Sequence, residues 1–82
     1  MQIVNELVGI NVRFGGGVVL PIGFDWRGRY YVVQRVTMTF ERKNGGRRYL
    51  CFIAETAGML AELAMDRESL IWRLGKCEPS CT

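Results

Sequence analysis

Between Tyr30 and Phe40 the chain alternates with a period of two. Tyr30, Val32, Gln34, Val36, Met38 and Phe40 fall on one parity, and Tyr31, Val33, Arg35, Thr37 and Thr39 fall on the other. Successive side chains of a β-strand point to opposite faces, so the run reads as a half-buried strand with a polar outer face. Its β-branched and aromatic content suits a pleated surface. Gln34 is the one polar residue on the inner parity. The reading places it at a bend or a barrel mouth, where its amide finds backbone partners.

Two turn signals fix how this strand meets its neighbours. Before it, VVLPIGFDW (18–26) reads as a strand, and the hydrophobic pattern chooses its register. A two-residue turn at Arg27-Gly28 would set Phe24 against Tyr31 and place Arg35 on the inner side. A turn opened by Asp25, with Gly28 in the left-handed bulge position, pairs Phe24 with Tyr30, Ile22 with Val32 and Asp25 with Arg29. Because a one-residue slip turns the strand over, the second register is expected. It leaves Tyr31 to cover Gly23. After the strand, KNGGR signals a hairpin, and a two-residue turn at Asn44-Gly45 would pair Glu41 with Arg48 and Phe40 with Tyr49. YLCFIA (49–54) is apolar at both parities, as in a strand covered on both faces, with Cys51 as a small buried hydrophobe. Gly15-Gly16-Gly17 separates an early strand, GINVRF, from the next.

The C-terminal third carries two patterns. As a helix over 58–74 it presents a stripe of Leu60, Leu63, Ala64, Leu70, Ile71 and Leu74 interrupted by Arg67. As strands, MLAELAMD is followed by a turn at DRES and a last strand LIWRL. Propensity favours the helix, and the regular spacing of turn signals favours strands. Two fold classes therefore stay open: an all-β antiparallel meander or small barrel of five or six strands, SH3-like or related, and an α+β domain with a C-terminal helix. Either is one domain over residues 1–76 with a tail at 77–82, since 82 residues hold a single core. The expected core is Phe24, Trp26, Tyr30, Val32, Val36, Met38, Phe40, Cys51, Ile53, Leu63, Leu70 and Trp72.

Charge and cysteine content narrow the setting. No apolar run is long enough to span a bilayer, and MQIVNELVGI lacks a secretion-signal pattern, so a cytoplasmic protein without membrane contact is expected. Three cysteines, Cys51, Cys77 and Cys81, suggest free thiols, and with no histidine in the chain no metal site is expected. The net charge of +3 is unevenly spread: residues 24–48 carry a local balance of +5, residues 49–72 one of −3. Such asymmetry suits phosphates or an acidic protein.

The order P-x-x-F-x-W-x-G-R-x-Y-x-V, present from Pro21 to Val33 as PIGFDWRGRYYVV, resembles a family of small uncharacterised bacterial proteins defined as a domain of unknown function. The family's later features correspond to Tyr49 to Glu55, Gly58, Glu62-Leu63 with Asp66, and Trp72 with Leu74. The CEPSC tail and Gln34 depart from its pattern. The resemblance implies a compact antiparallel β domain, with strands rather than a helix in the C-terminal third. Some family members are encoded near accessory genes of error-prone DNA polymerases, which implies an accessory role in DNA-damage tolerance. It supplies no catalytic residue.

Nothing in the sequence assembles a catalytic set. There is no histidine base, phosphate loop or nucleophile elbow, Asp25 serves as a turn residue, and Glu62 and Asp66 are expected to be solvated. No enzyme activity and no cofactor are predicted. The expected function is a non-catalytic binding module. In one form it takes single-stranded nucleic acid on a basic, aromatic hairpin face, with Arg27, Arg29, Tyr31, Arg35, Arg47 and Arg48 as binding candidates. The alternative is a protein-interaction or homodimerising adaptor that offers a sheet edge.

Overall fold

A computed structural model describes residues 1–79. The chain is all-β: β1 (Gln2–Leu7), β2 (Gly9–Gly15), β3 (Val18–Trp26), β4 (Arg29–Val32), β5 (Arg35–Asn44), β6 (Arg47–Thr56), β7 (Met59–Asp66) and β8 (Trp72–Pro79). One antiparallel sheet has the order β1-β8-β7-β6-β5, the other β2-β3-β4. The C-terminal third is therefore strands, and no helix forms over 58–74. β8 runs to Pro79, so residues 77–79 of the expected tail belong to the sheet. Cys81 lies outside the described residues.

Two long chain segments bend from one sheet into the other. Only Val8 separates β1 from β2, and its N–H donates to the Trp72 carbonyl at 3.3 Å. Only Val33 and Gln34 separate β4 from β5. Val33 N–H donates to Ile22 O at 3.0 Å in one sheet, and Gln34 N–H to Glu55 O at 2.7 Å in the other. The second bend thus keeps its backbone bonded to both sheets, and the first is tied to the larger one. Six chain passes become eight strands, the two sheets stay separate ladders, and the barrel is not closed. Gln34 does sit at a bend, but it is exposed and its backbone N–H, not its side-chain amide, makes the contact.

This bend overturns the expected register of the first hairpin. Phe24 pairs with Tyr31, Asp25 with Tyr30 and Trp26 with Arg29, around a two-residue turn in which Arg27 and Gly28 both have positive φ (51° and 75°). The objection to this register was a buried Arg35. Because the strand breaks at Gln34, Arg35 enters the other sheet and stays exposed. Tyr31 now stacks on Phe24 at 5.2 Å between ring centroids, while Tyr30 and Val32 point outward. It is Tyr30, not Tyr31, that covers Gly23: a Cβ there would run into the Tyr30 hydroxyl, which accepts from Asn11 Nδ2 at 2.9 Å.

The second hairpin turns one residue later than expected. Gly45 and Gly46 form the turn, with φ of 58° and 80°, so Asn44 pairs with Arg47, Lys43 with Arg48 and Phe40 with Cys51. Two glycines take these left-handed conformations without the Cβ clash that Asn44 would meet. The displacement moves each partner by two residues, so the faces are unchanged.

The core lies between the sheets. Phe24 is buried from the three-stranded side against Phe52, Ala54, Leu63, Met65, Trp72 and Leu74 of the larger sheet. Phe52 and Trp72 stack at 5.4 Å. Of the expected core, Trp26 and Val36 are half-buried at its edge, and Phe40 and Ile53 are half-buried away from it. Cys51 is buried on the opposite face of the sheet. Tyr30, Val32, Met38 and Leu70 are exposed.

Candidate functional site

The binding candidates do not form one surface. They lie in the β3–β4 turn or in β4, β5 and β6, and β6 alone separates Arg47 at its start from Glu55, the partner of Arg35, by roughly 25 Å at the usual rise per residue. Arg27 is in the β3–β4 turn and Arg29 opens β4 directly after it. Arg29 and Tyr31 line a recess with Gly58 and Met59, at the far end of β6 from Arg47 and Arg48.

Most of the candidate cations already have carboxylate partners. Arg27 Nη2 bonds Glu6 Oε2 at 2.6 Å, and its guanidinium lies 4.6 Å from the Trp26 ring centroid. That bond, followed by the Trp26 indole N–H at 2.9 Å, holds the Glu6 carboxyl below its ordinary value. Arg35 pairs with Glu55 at 2.8 Å and Arg47 with Asp66 at 2.6 Å. The expected Asp25–Arg29 pair is absent among the described residues, and Arg29 instead sits 5.5 Å from the Tyr31 ring centroid. Arg29 and Arg48 are the two candidates with no carboxylate partner among the described residues. Tyr31 is a packed aromatic, not a free stacking platform.

Glu62 and Asp66, expected to be solvated, are buried. Register explains it: on β7 they face the outer side of the five-stranded sheet beside Ile53 and Tyr49 of β6. Asp66 is held below the ordinary carboxyl value first by the Glu68 N–H, then by the Ser69 N–H and Arg47. Glu62 Oε2 accepts from Arg42 Nη1 at 3.1 Å.

Two surfaces that the sequence reading did not single out emerge from this geometry. The first is the outer side of the three-stranded sheet. Val19 and Phe24 point inward, so Val18 and Leu20 of β3 point outward, as do Tyr30 and Val32 of β4. All four are exposed, Val32 to 60%, and Ile22 is exposed at the β3 bulge between them. The β4 edge beside them carries no further strand.

The second is a hollow of about 460 Å³ across the outer side of the five-stranded sheet. Its centre is recessed because the outward positions there are small: Cys51 on β6, Ala64 on β7 and Gly75 on β8. Arg42, Tyr49, Arg73 and Lys76 form its walls, and Glu62 lies at its floor. Burial raises the Cys51 thiol above its ordinary value, so it is neutral at physiological pH. Alternation alone gave no hint of this hollow, because small outward residues become meaningful only when the register places them side by side.

Comparison with protein families, with curated proteins and with solved structures finds no match. Among the described residues no helix is long and apolar enough to cross a membrane.

Proposed function

We propose that this chain is a non-catalytic binding module whose partner is a protein, docked on the outer side of the three-stranded sheet. The observation that carries this reading is the run of outward apolar side chains, Val18, Leu20, Tyr30 and Val32 with Ile22 at the bulge. Polar residues normally occupy the solvent side of an antiparallel sheet, and a contiguous apolar patch marks an interaction surface. The unpaired β4 edge supplies backbone groups for an added strand. A second copy of the chain is the partner that can be tested first.

The likeness of Pro21–Val33 to the small bacterial family supports an accessory role, with DNA-damage tolerance as its setting. The free thiols of Cys51 and Cys77 suit the cytoplasm. A neutral Cys51 thiol and the ion-paired Glu6, Glu55, Glu62 and Asp66 favour binding over catalysis.

Sedimentation velocity over a concentration series tests the reading. Self-association that Val32→Glu abolishes supports it. A monomer that also fails to cross-link to any protein through this face in cells overturns it.

A second reading, single-stranded nucleic acid, rests on one observation. Lys43 lies directly opposite Arg48, and neither has a carboxylate partner among the described residues. Like charges facing each other across a ladder are destabilising unless an anion joins them. Oligonucleotide anisotropy across a salt series, with Lys43→Ala and Arg48→Ala variants, decides it: a steep salt slope that both variants flatten favours nucleic acid.

A further inference from the structure

We propose that the hollow on the outer side of the five-stranded sheet is a binding site for a nucleoside monophosphate group, either as a free nucleotide or as the phosphorylated end of a strand. The proposal is independent of the protein-docking face, which lies on the other sheet.

Size and charge carry it. The hollow measures about 460 Å³, inside the roughly 300–1,000 Å³ range of small-ligand sites. Three cations surround it, Arg42, Arg73 and Lys76, and one carboxylate, Glu62, lies within it. Arg42 is matched by Glu62. Arg73 and Lys76 have no carboxylate partner among the described residues, and the strongest contact of Arg73 is a long 3.5 Å bond to the Asn5 carbonyl. A phosphomonoester carries about −1.5 to −2 at neutral pH, which matches these two cations.

The arrangement is also built rather than incidental. β8 bulges at Gly75, since Glu62 pairs with Lys76 while the adjacent Leu63 pairs with Leu74. The bulge turns Arg73 and Lys76 to the same hollow although they are an odd number of residues apart. Gly75 itself leaves room for Glu62, whose Oε2 lies 3.4 Å from where a Cβ would stand. Glu62 is only 5% exposed, yet only one of its oxygens has a hydrogen-bond partner among the described residues. Its other oxygen, Oε1, is not sealed from solvent, and Glu62 lines the hollow.

The ligand is thereby oriented. The phosphate lies at the β8 side on Arg73 and Lys76. An N–H donor of the base meets Glu62, and guanine offers two adjacent ones. Tyr49, half-buried in the wall, contributes a ring face for the base. A second phosphate at the floor would face the Glu62 carboxylate and be repelled.

Amide correlation spectra of the isotopically labelled chain, titrated with guanosine monophosphate, guanosine and inorganic phosphate, test the site. The nucleotide is expected to shift the amides of Tyr49, Glu62, Arg73 and Lys76. Guanosine and phosphate should each bind at least about tenfold more weakly. The exposed-side double variant Arg73→Gln with Lys76→Gln should weaken the nucleotide by a similar factor, and Ala64→Leu should block it by filling the hollow without changing charge. The well-dispersed spectrum of each variant reports that it is folded. Comparison with a phosphorylated and an unphosphorylated trinucleotide assigns the source, the phosphorylated one competing only if strand ends are bound. Absence of shifts, shifts centred elsewhere, equal binding of inorganic phosphate, or indifference to both variants would overturn the proposal.

Discussion

At the scale of single residues, conformation and charge are decided by immediate neighbours. Leu70 has a φ of 62° and is 64% exposed, so it carries the steric penalty of a left-handed β-carbon with little burial in return. Leu70→Asn should therefore stabilise the fold by about 1 kcal/mol, read from chemical denaturation. Gly23 shows the opposite case. Gly23→Ala forces Tyr30 off the strand and breaks its bond from Asn11, and a loss of about 1–2 kcal/mol is expected, reduced when Tyr30 is also shortened to Leu. Two carboxyls set the acid response. Glu6, lowered first by Arg27, and Asp66, lowered first by the Glu68 N–H, have folded-state values below their unfolded ones. Their contribution is fully present above the unfolded value near about 4 and is lost as pH falls through the lowered folded values. Stability should thus be flat around neutrality and decline below about pH 4, with Asp66→Asn showing a shallower decline in acid titrations followed by intrinsic fluorescence.

At the scale of elements, the hairpin turns fix register. Gly45 and Gly46 occupy the β5–β6 turn, and Asn44 is a paired strand residue. Gly46→Ala should accordingly cost about 1–2 kcal/mol, while Asn44→Ala should change stability by under about 0.5 kcal/mol. Equal losses at the two positions, measured by thermal denaturation, would place the turn at Asn44-Gly45 instead. The β3–β4 turn is less favourable by itself, because Arg27 must take a positive φ. Its bond to Glu6 and its stacking on Trp26 oppose that penalty, so β1 helps to hold a turn twenty residues further on.

At the scale of the molecule, the two sheets share a core that is asymmetric. The larger sheet supplies nearly all the fully buried apolar residues, and Phe24 is the principal contribution of the smaller one. Phe24→Ala should cost about 3–5 kcal/mol, since it removes the fully buried aromatic by which the three-stranded sheet enters the core. Hydrogen-exchange protection in that variant is expected to fall first in β2 to β4. The same asymmetry leaves the small sheet covered on one side only, with the apolar outer side proposed as a docking face.

While leaving residues 58–74 open between a helix and strands, the sequence by itself determined the β character of residues 9–56, the positions of the turns to within a residue, and the alternation along each strand. These are local properties, carried by side-chain period and by glycines. It also marked Pro21–Val33 as a fold determinant. What it could not decide was where a long strand leaves one sheet for the other, because that bend at Val33-Gln34 is held by carbonyls of Ile22 and Glu55, which lie in different strands. That one non-local feature reversed the faces of Tyr30 and Tyr31. It freed Arg35 from the interior and turned the basic hairpin into a set of paired or scattered cations. Cys51, Ala64 and Gly75 come from three separate strands, so the hollow between Arg42 and Arg73 exists only once the ladders β6–β7–β8 are in register.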